Sequence, residues 1–117
     1  MKVFLVGHSG PEHQWVEGVY KNKEDALKVF EKIRLDLLAN AKHMMEWSKE
    51  DAQEHLKKGT WFDGKPFDDG NISYFKELAN HGSEMYKEII ERLSEPDPDK
   101  IDNYPQETPF IKEEELK

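Results

Sequence analysis

Hydrophobic positions along the 117-residue chain change their period twice. Val3, Phe4, Leu5 and Val6 form an unbroken apolar run. The run predicts a strand over 2–8 with neither face given to water, hence a central strand covered on both sides. Trp15-Val16-Glu17-Gly18-Val19-Tyr20 is rich in aromatic and β-branched residues and predicts a second strand. The Gly10-Pro11 breaker lies between the two, so they make a hairpin.

From Asn22 onward the apolar spacing becomes three and four. Ala26, Leu27, Phe30, Ile33, Leu37, Leu38, Ala41 and Met44 mark one face of a strongly amphipathic helix. Asn22 precedes Lys23-Glu24-Asp25, a cap pattern with acids where the helix N-terminus favours them. The pattern weakens at Trp47, and Ser48-Lys49-Glu50-Asp51 resembles a second cap. The expectation is a helix over 23–46, a kink or break, and a shorter helix over 49–58 stopped by Gly59. Residues 60–71 read as a loop. Phe75, Leu78, Gly82, Met85, Tyr86, Ile89 and Leu93 share one stripe of a helix over 72–93. A mid-helix glycine costs about 1 kcal/mol relative to alanine. Two readings of Gly82 therefore stand: close approach of a neighbouring helix, or a helix break with Ser83 as a fresh cap.

Four prolines and little apolar content make 94–109 an extended linker. Phe110 and Ile111 open a last strand over 110–116 that returns to the sheet. The fold class is α+β: a small sheet of about three strands, the N-terminal hairpin plus the C-terminal strand, with about three helices packed on it. Residues 1–93 form a single α+β domain. Residues 94–117 belong to the same domain as a Pro-rich, acidic linker and a C-terminal strand or tail.

Charge narrows the partners. The net charge is −8, and residues 94–117 hold eight Asp or Glu against three Lys. Nucleic acid is excluded as a partner, because displacing counterions from phosphates needs a basic surface. No apolar run approaches the ~18–20 residues of a membrane span. The N-terminus lacks the shape of a signal peptide, and the absence of cysteine fits a reducing, cytoplasmic setting. Lack of cysteine also removes disulfides, thiolate nucleophiles and Cys-based zinc sites.

Gly7-His8-Ser9-Gly10 raises the question of a nucleophile elbow. That motif is G-x-S-x-G followed directly by a helix, and here Pro11 and a second strand follow. A turn serine is the expectation. His8, Glu12 and His13 have the residue types of a zinc or iron site, with no third histidine near in sequence. His8, Ser9, Glu12 and His13 together carry the hydrolase or metal-site alternative. His43, His55 and His81 show no metal-ligand spacing, and His43 reads as lying near the end of the first helix. Asp63, Asp68 and Asp69 with Gly64 and Gly70 miss the EF-hand spacing and read as turn chemistry. No catalytic, cofactor or metal residue is therefore assigned.

Trp61, Phe62 and Phe67 place three aromatics within seven loop residues, either tucked onto the core or offered to a partner. Trp47, beside Met44 and Met45, raises the same choice. These four are the candidate interaction surface.

The run Val16-Glu17-Gly18-Val19-Tyr20 to Ile33, with a short strand before it and Pro109 to Leu116 far downstream, resembles a family of small bacterial and phage proteins. The resemblance covers 2–46 and 109–116 and implies a β-hairpin, a helix and a returning strand, with 47–108 as an insertion. It brings no activity and no functional residue. The expected function is a non-enzymatic protein-interaction or regulatory module of phage or mobile-element kind. The alternative is a small-ligand binder with a pocket between sheet and helices. The other face of the first strand is covered either by the middle helices wrapping round to it or by a second copy, so a homodimer is a further expectation.

Overall fold

The computed structural model describes residues 1–10, 14–101 and 108–116. Two strands, β1 (Lys2–Ser9) and β2 (Gln14–Tyr20), come first. The helices α1 (Lys23–Lys58), α2 (Asp69–His81) and α3 (Glu84–Leu93) follow, then β3 (Thr108–Glu115). The class is α+β. The sheet is antiparallel with order β2-β1-β3, so the all-apolar run does take the central place. The strand extends through Ser9, one residue beyond the expectation.

The chain gathers into two compact units, Met1–Asn40 with Ile89–Lys117, and Ala41–Glu88. In the first unit Val6, Ala26 and Phe30 form the buried centre, with Phe4, Tyr20, Ile33 and Ile111 packed round it. Phe4 and Val6 are two apart on β1 and so share the face that meets α1. Arg34 is also buried here. Its guanidinium pairs with both carboxylate oxygens of Glu31, and Nη1 donates to the Leu93 carbonyl at 2.6 Å. A helix C-terminus leaves its last carbonyls without intrahelical donors, and Arg34 supplies one to α3.

α1 begins as expected: Asn22 Oδ1 accepts from the Glu24 N–H at 2.8 Å. The expected break near Trp47 is absent, and the helix runs unbroken for 36 residues. Ser48 does not cap a new helix. Its hydroxyl donates back to the Met45 carbonyl at 2.7 Å, a bond a serine makes inside a helix. Lys49 with Glu46 and Lys57 with Glu54 add pairs at three-residue spacing. No glycine or proline interrupts 23–58, and Gly59 ends the helix. His43 is consequently mid-helix, not near an end.

The helix expected over 72–93 is two helices. It starts earlier, at Asp69, because Asp68 and Asn71 form a reciprocal capping box. It breaks at Gly82, whose φ of 75° and ψ of −174° are accessible essentially to glycine alone. A Cβ at Gly82 would also overlap the Met45 sulfur. Gly82→Ala is therefore expected to cost about 2 kcal/mol. A urea titration measures it, and an unchanged midpoint would contradict the break.

The linker is not wholly irregular. Pro98–Lys100 makes one 3-10 turn capped by Asp97, whose Oδ1 accepts from the Asp99 N–H at 3.0 Å. β3 begins at Thr108, two residues before the expected start. Its first half is buried, and Lys112 to Glu115 are exposed. Residues 102–107 of the expected linker lie outside the described residues.

Candidate interaction site

The aromatic loop is closed by its own backbone. Thr60 bridges Pro66, Trp61 N–H donates to the Lys65 carbonyl at 2.8 Å, and Gly64 N–H donates to the Trp61 carbonyl at 2.9 Å. Phe67 N–H returns to the Gly59 carbonyl at 3.0 Å. Asp63 Oδ1 accepts from the Lys65 N–H, an Asx turn, and Gly64 supplies the positive φ of 84°. Trp61 to Gly64 is thus a tight four-residue turn with Phe62 at one of its two corner positions.

That turn sorts the aromatics. Phe67 points inward and is 8% exposed, in one cluster with Ala52 and Phe75. Its ring centre lies 5.0 Å from Phe75, and His55 stacks on Phe75 at 4.9 Å with planes only 10° apart. Trp61, 42% exposed, sets its edge against Phe67 at 4.8 Å and also meets Phe75 at 5.8 Å. Phe62 is fully exposed. Trp47 is 52% exposed on α1. Of the four sequence candidates, then, Phe67 is core, Trp61 is a brace with one side in water, and Phe62 and Trp47 are outside.

His55 and Phe75 support this turn, and neither was singled out from the sequence. Phe75 lay on the helical stripe and His55 among the unpaired histidines. What signals them is their place in the fold: both pack with Phe67, which follows the loop directly. His55 Nδ1 lies 2.8 Å from the Asp51 carbonyl one turn earlier, which fixes the ring.

The remaining candidates resolve more simply. Asp63 is a turn acceptor, as turn chemistry predicted, whereas Asp68 caps α2 and Asp69 with Gly70 opens that helix instead of forming a turn. Ser9 lies inside β1, paired with Gln14 on one side and Thr108 on the other, and accepts from Gln14 Nε2 at 3.4 Å. β1 leads to a second strand, so the strand-to-helix elbow is not formed there. His8 Nδ1 lies 3.5 Å from Glu17 Oε1, and its ring meets Trp15 at 4.8 Å. Glu12 and His13 lie outside the described residues. Among the described residues no cluster of three or more His, Cys, Asp or Glu has metal-holding geometry. No helix there is long and apolar enough to cross a membrane.

A groove of about 430 Å³ lies between α1 and the sheet. Tyr20, Val29, Ile33 and Leu37 contribute apolar surface to it. His8, Glu17, Lys32 and Asp36 contribute polar and charged groups of both signs.

No family model matches the chain, and neither the curated proteins nor the solved structures give a match.

Proposed function

We propose that this chain is a non-enzymatic protein-interaction module, with Phe62 as the anchor it inserts into a partner. One observation carries this reading: a fully exposed phenylalanine on a turn held by backbone hydrogen bonds and braced through Trp61 on the Phe67–Phe75 stack. Exposing a whole phenyl ring forgoes the burial that would otherwise stabilise the fold by about 2 kcal/mol. A turn backbone already held by its own hydrogen bonds also loses little entropy on binding. The segment carries Asp63, Asp68 and Asp69 against one lysine, Lys65, which lies 3.8 Å from Asp63. The fitting partner is a protein surface with an apolar socket rimmed by cationic groups.

The test is affinity capture from the cells that make the protein, with wild type beside Phe62→Ala. The expected result is one stoichiometric partner, weakened by salt, bound about 30-fold less tightly by the variant. The variant should keep the wild-type melting temperature. A partner held equally by both proteins would contradict the reading.

The groove between α1 and the sheet supports a second reading, a small amphipathic ligand with charges of both signs. It ranks second because, among the described residues, no buried side-chain donor or acceptor lacks a partner. Nothing in the groove therefore demands a ligand's complement.

A further inference from the structure

We propose that β2 pairs with β2 of a second copy of this chain, joining two three-stranded sheets into one of six. The proposal is independent of the Phe62 site. Edge strands present unpaired N–H and C=O groups, and proteins normally guard them with charges or proline. The two edges of this sheet differ sharply. β3 carries Lys112, Glu113, Glu114 and Glu115, all exposed. β2 spans seven residues with one charge, Glu17, and leaves Val16 and Val19 each more than half exposed. Two chains of net charge −8 repel, and β2 is the edge where they meet with fewest carboxylates.

The register makes β2 complementary to itself. A regular strand alternates faces, so residues three apart lie on opposite sides. Here Val6 pairs with Gly18 but Gly7 pairs with Val16, so Glu17 is the extra residue of a bulge. The bulge moves the alternation by one. Val19 and Val16 oppose Leu5 and Gly7, on one face of the sheet. Tyr20 and Trp15 oppose Phe4 and His8, on the other.

A two-fold axis between Glu17 and Gly18 then sets Val16 opposite Val19 of the second copy, and Trp15 opposite its Tyr20. Apolar meets apolar on both faces, and directly opposed β-branched and aromatic pairs stabilise a sheet. Glu17 meets Gly18, which has no side chain to oppose it. The Glu17 carboxylate already lies 3.5 Å from His8 Nδ1 of its own chain. In an unbulged strand this register would set outward-pointing residues against inward-pointing ones and could not form. The bulge, which elsewhere spoils edges, here permits the pairing.

The test uses light scattering on the full chain at about 100 µM, where even a micromolar association fills the dimer. The expected mass is twice the 13.8 kDa of one chain. Val19→Lys should return it to one chain, with association weakened about a thousandfold, because the substitution enters twice across the two-fold axis and each lysine would face a Val16. Val19 is exposed, so the variant should match the wild-type melting temperature at concentrations low enough to leave both proteins monomeric. Leu35→Lys, at an exposed position on α1, should stay dimeric. The chain has no cysteine, so cross-links can be placed cleanly. Val16→Cys and Val19→Cys together should give a covalent dimer on oxidation, and neither alone should. A monomeric wild type would overturn the proposal, as would a dimer that survives Val19→Lys. A cross-link from either single variant would overturn the register.

Discussion

Phe30→Ala is expected to lower the unfolding free energy by about 3–5 kcal/mol, the largest loss of any single truncation in the first unit. Phe30 is only 2% exposed and is among the largest fully buried side chains. It packs with Val6 and Ala26 where α1 meets the central strand. Alanine would leave a void walled by Phe4, Tyr20, Ile33 and Ile111, which come from three strands and a helix. Elements held from several directions do not close in readily, so the cavity term persists. A urea titration monitored by far-UV circular dichroism measures the loss. A cost under about 1 kcal/mol would mean this core is not packed as described.

Arg34→Ala is expected to cost about 3 kcal/mol, although it removes a charge from the interior. The variant leaves the Leu93 carbonyl buried without its donor and removes the apolar stem of the arginine. The figure sits at the low end for a broken buried pair because Glu31 is 43% exposed and rehydrates. pH gives a second readout. The Arg34 hydrogen bond, and then its charge, hold the Glu31 carboxyl below its ordinary value of 4.5, while burial pulls the other way. A carboxyl depressed in the folded state stabilises above its unfolded value and loses that contribution as pH falls through the folded one. Wild type should therefore lose this part of its stability below pH 4.5, and Arg34→Ala should lack that part of the acid loss. Its size is small, because half-exposed pairs are screened. Equal stability of the two proteins at neutral pH would remove Arg34 from the account.

These two residues differ in how plainly the sequence announced them. Phe30 fell on the three-and-four stripe and was legible as core. Arg34 carried no such mark, because its partner at Leu93 is 59 positions away and only the fold brings them together. The central place of β1, the Asn22 cap and the Gly59 stop were legible because each is a local rule. The supposed break at Trp47 failed because Ser48 serves a cap or a helix interior equally well, and its bond to Met45 decides the matter. Gly82 allowed two readings because glycine permits both, and only its φ and ψ separate them. The bulge at Glu17 has no sequence signature, since it arises from pairing across two strands.

The candidate site was half legible. Three aromatics in seven residues marked the loop. Which ring turned inward depended on the turn at Trp61 to Gly64, where one position of slip would exchange the surroundings of Trp61 and Phe62. The backbone bonds of that turn make Phe62 the exposed ring and leave Phe67 to the core.

The central claim is that Phe62 enters a partner, and cross-linking from that position tests it most directly. A photoreactive phenylalanine analogue is placed at position 62 in the cells that make the protein, and at Leu35 as an exposed control. The expected result is one discrete adduct with another protein from position 62 and none from position 35. No adduct from position 62, or the same adducts from both positions, would contradict it.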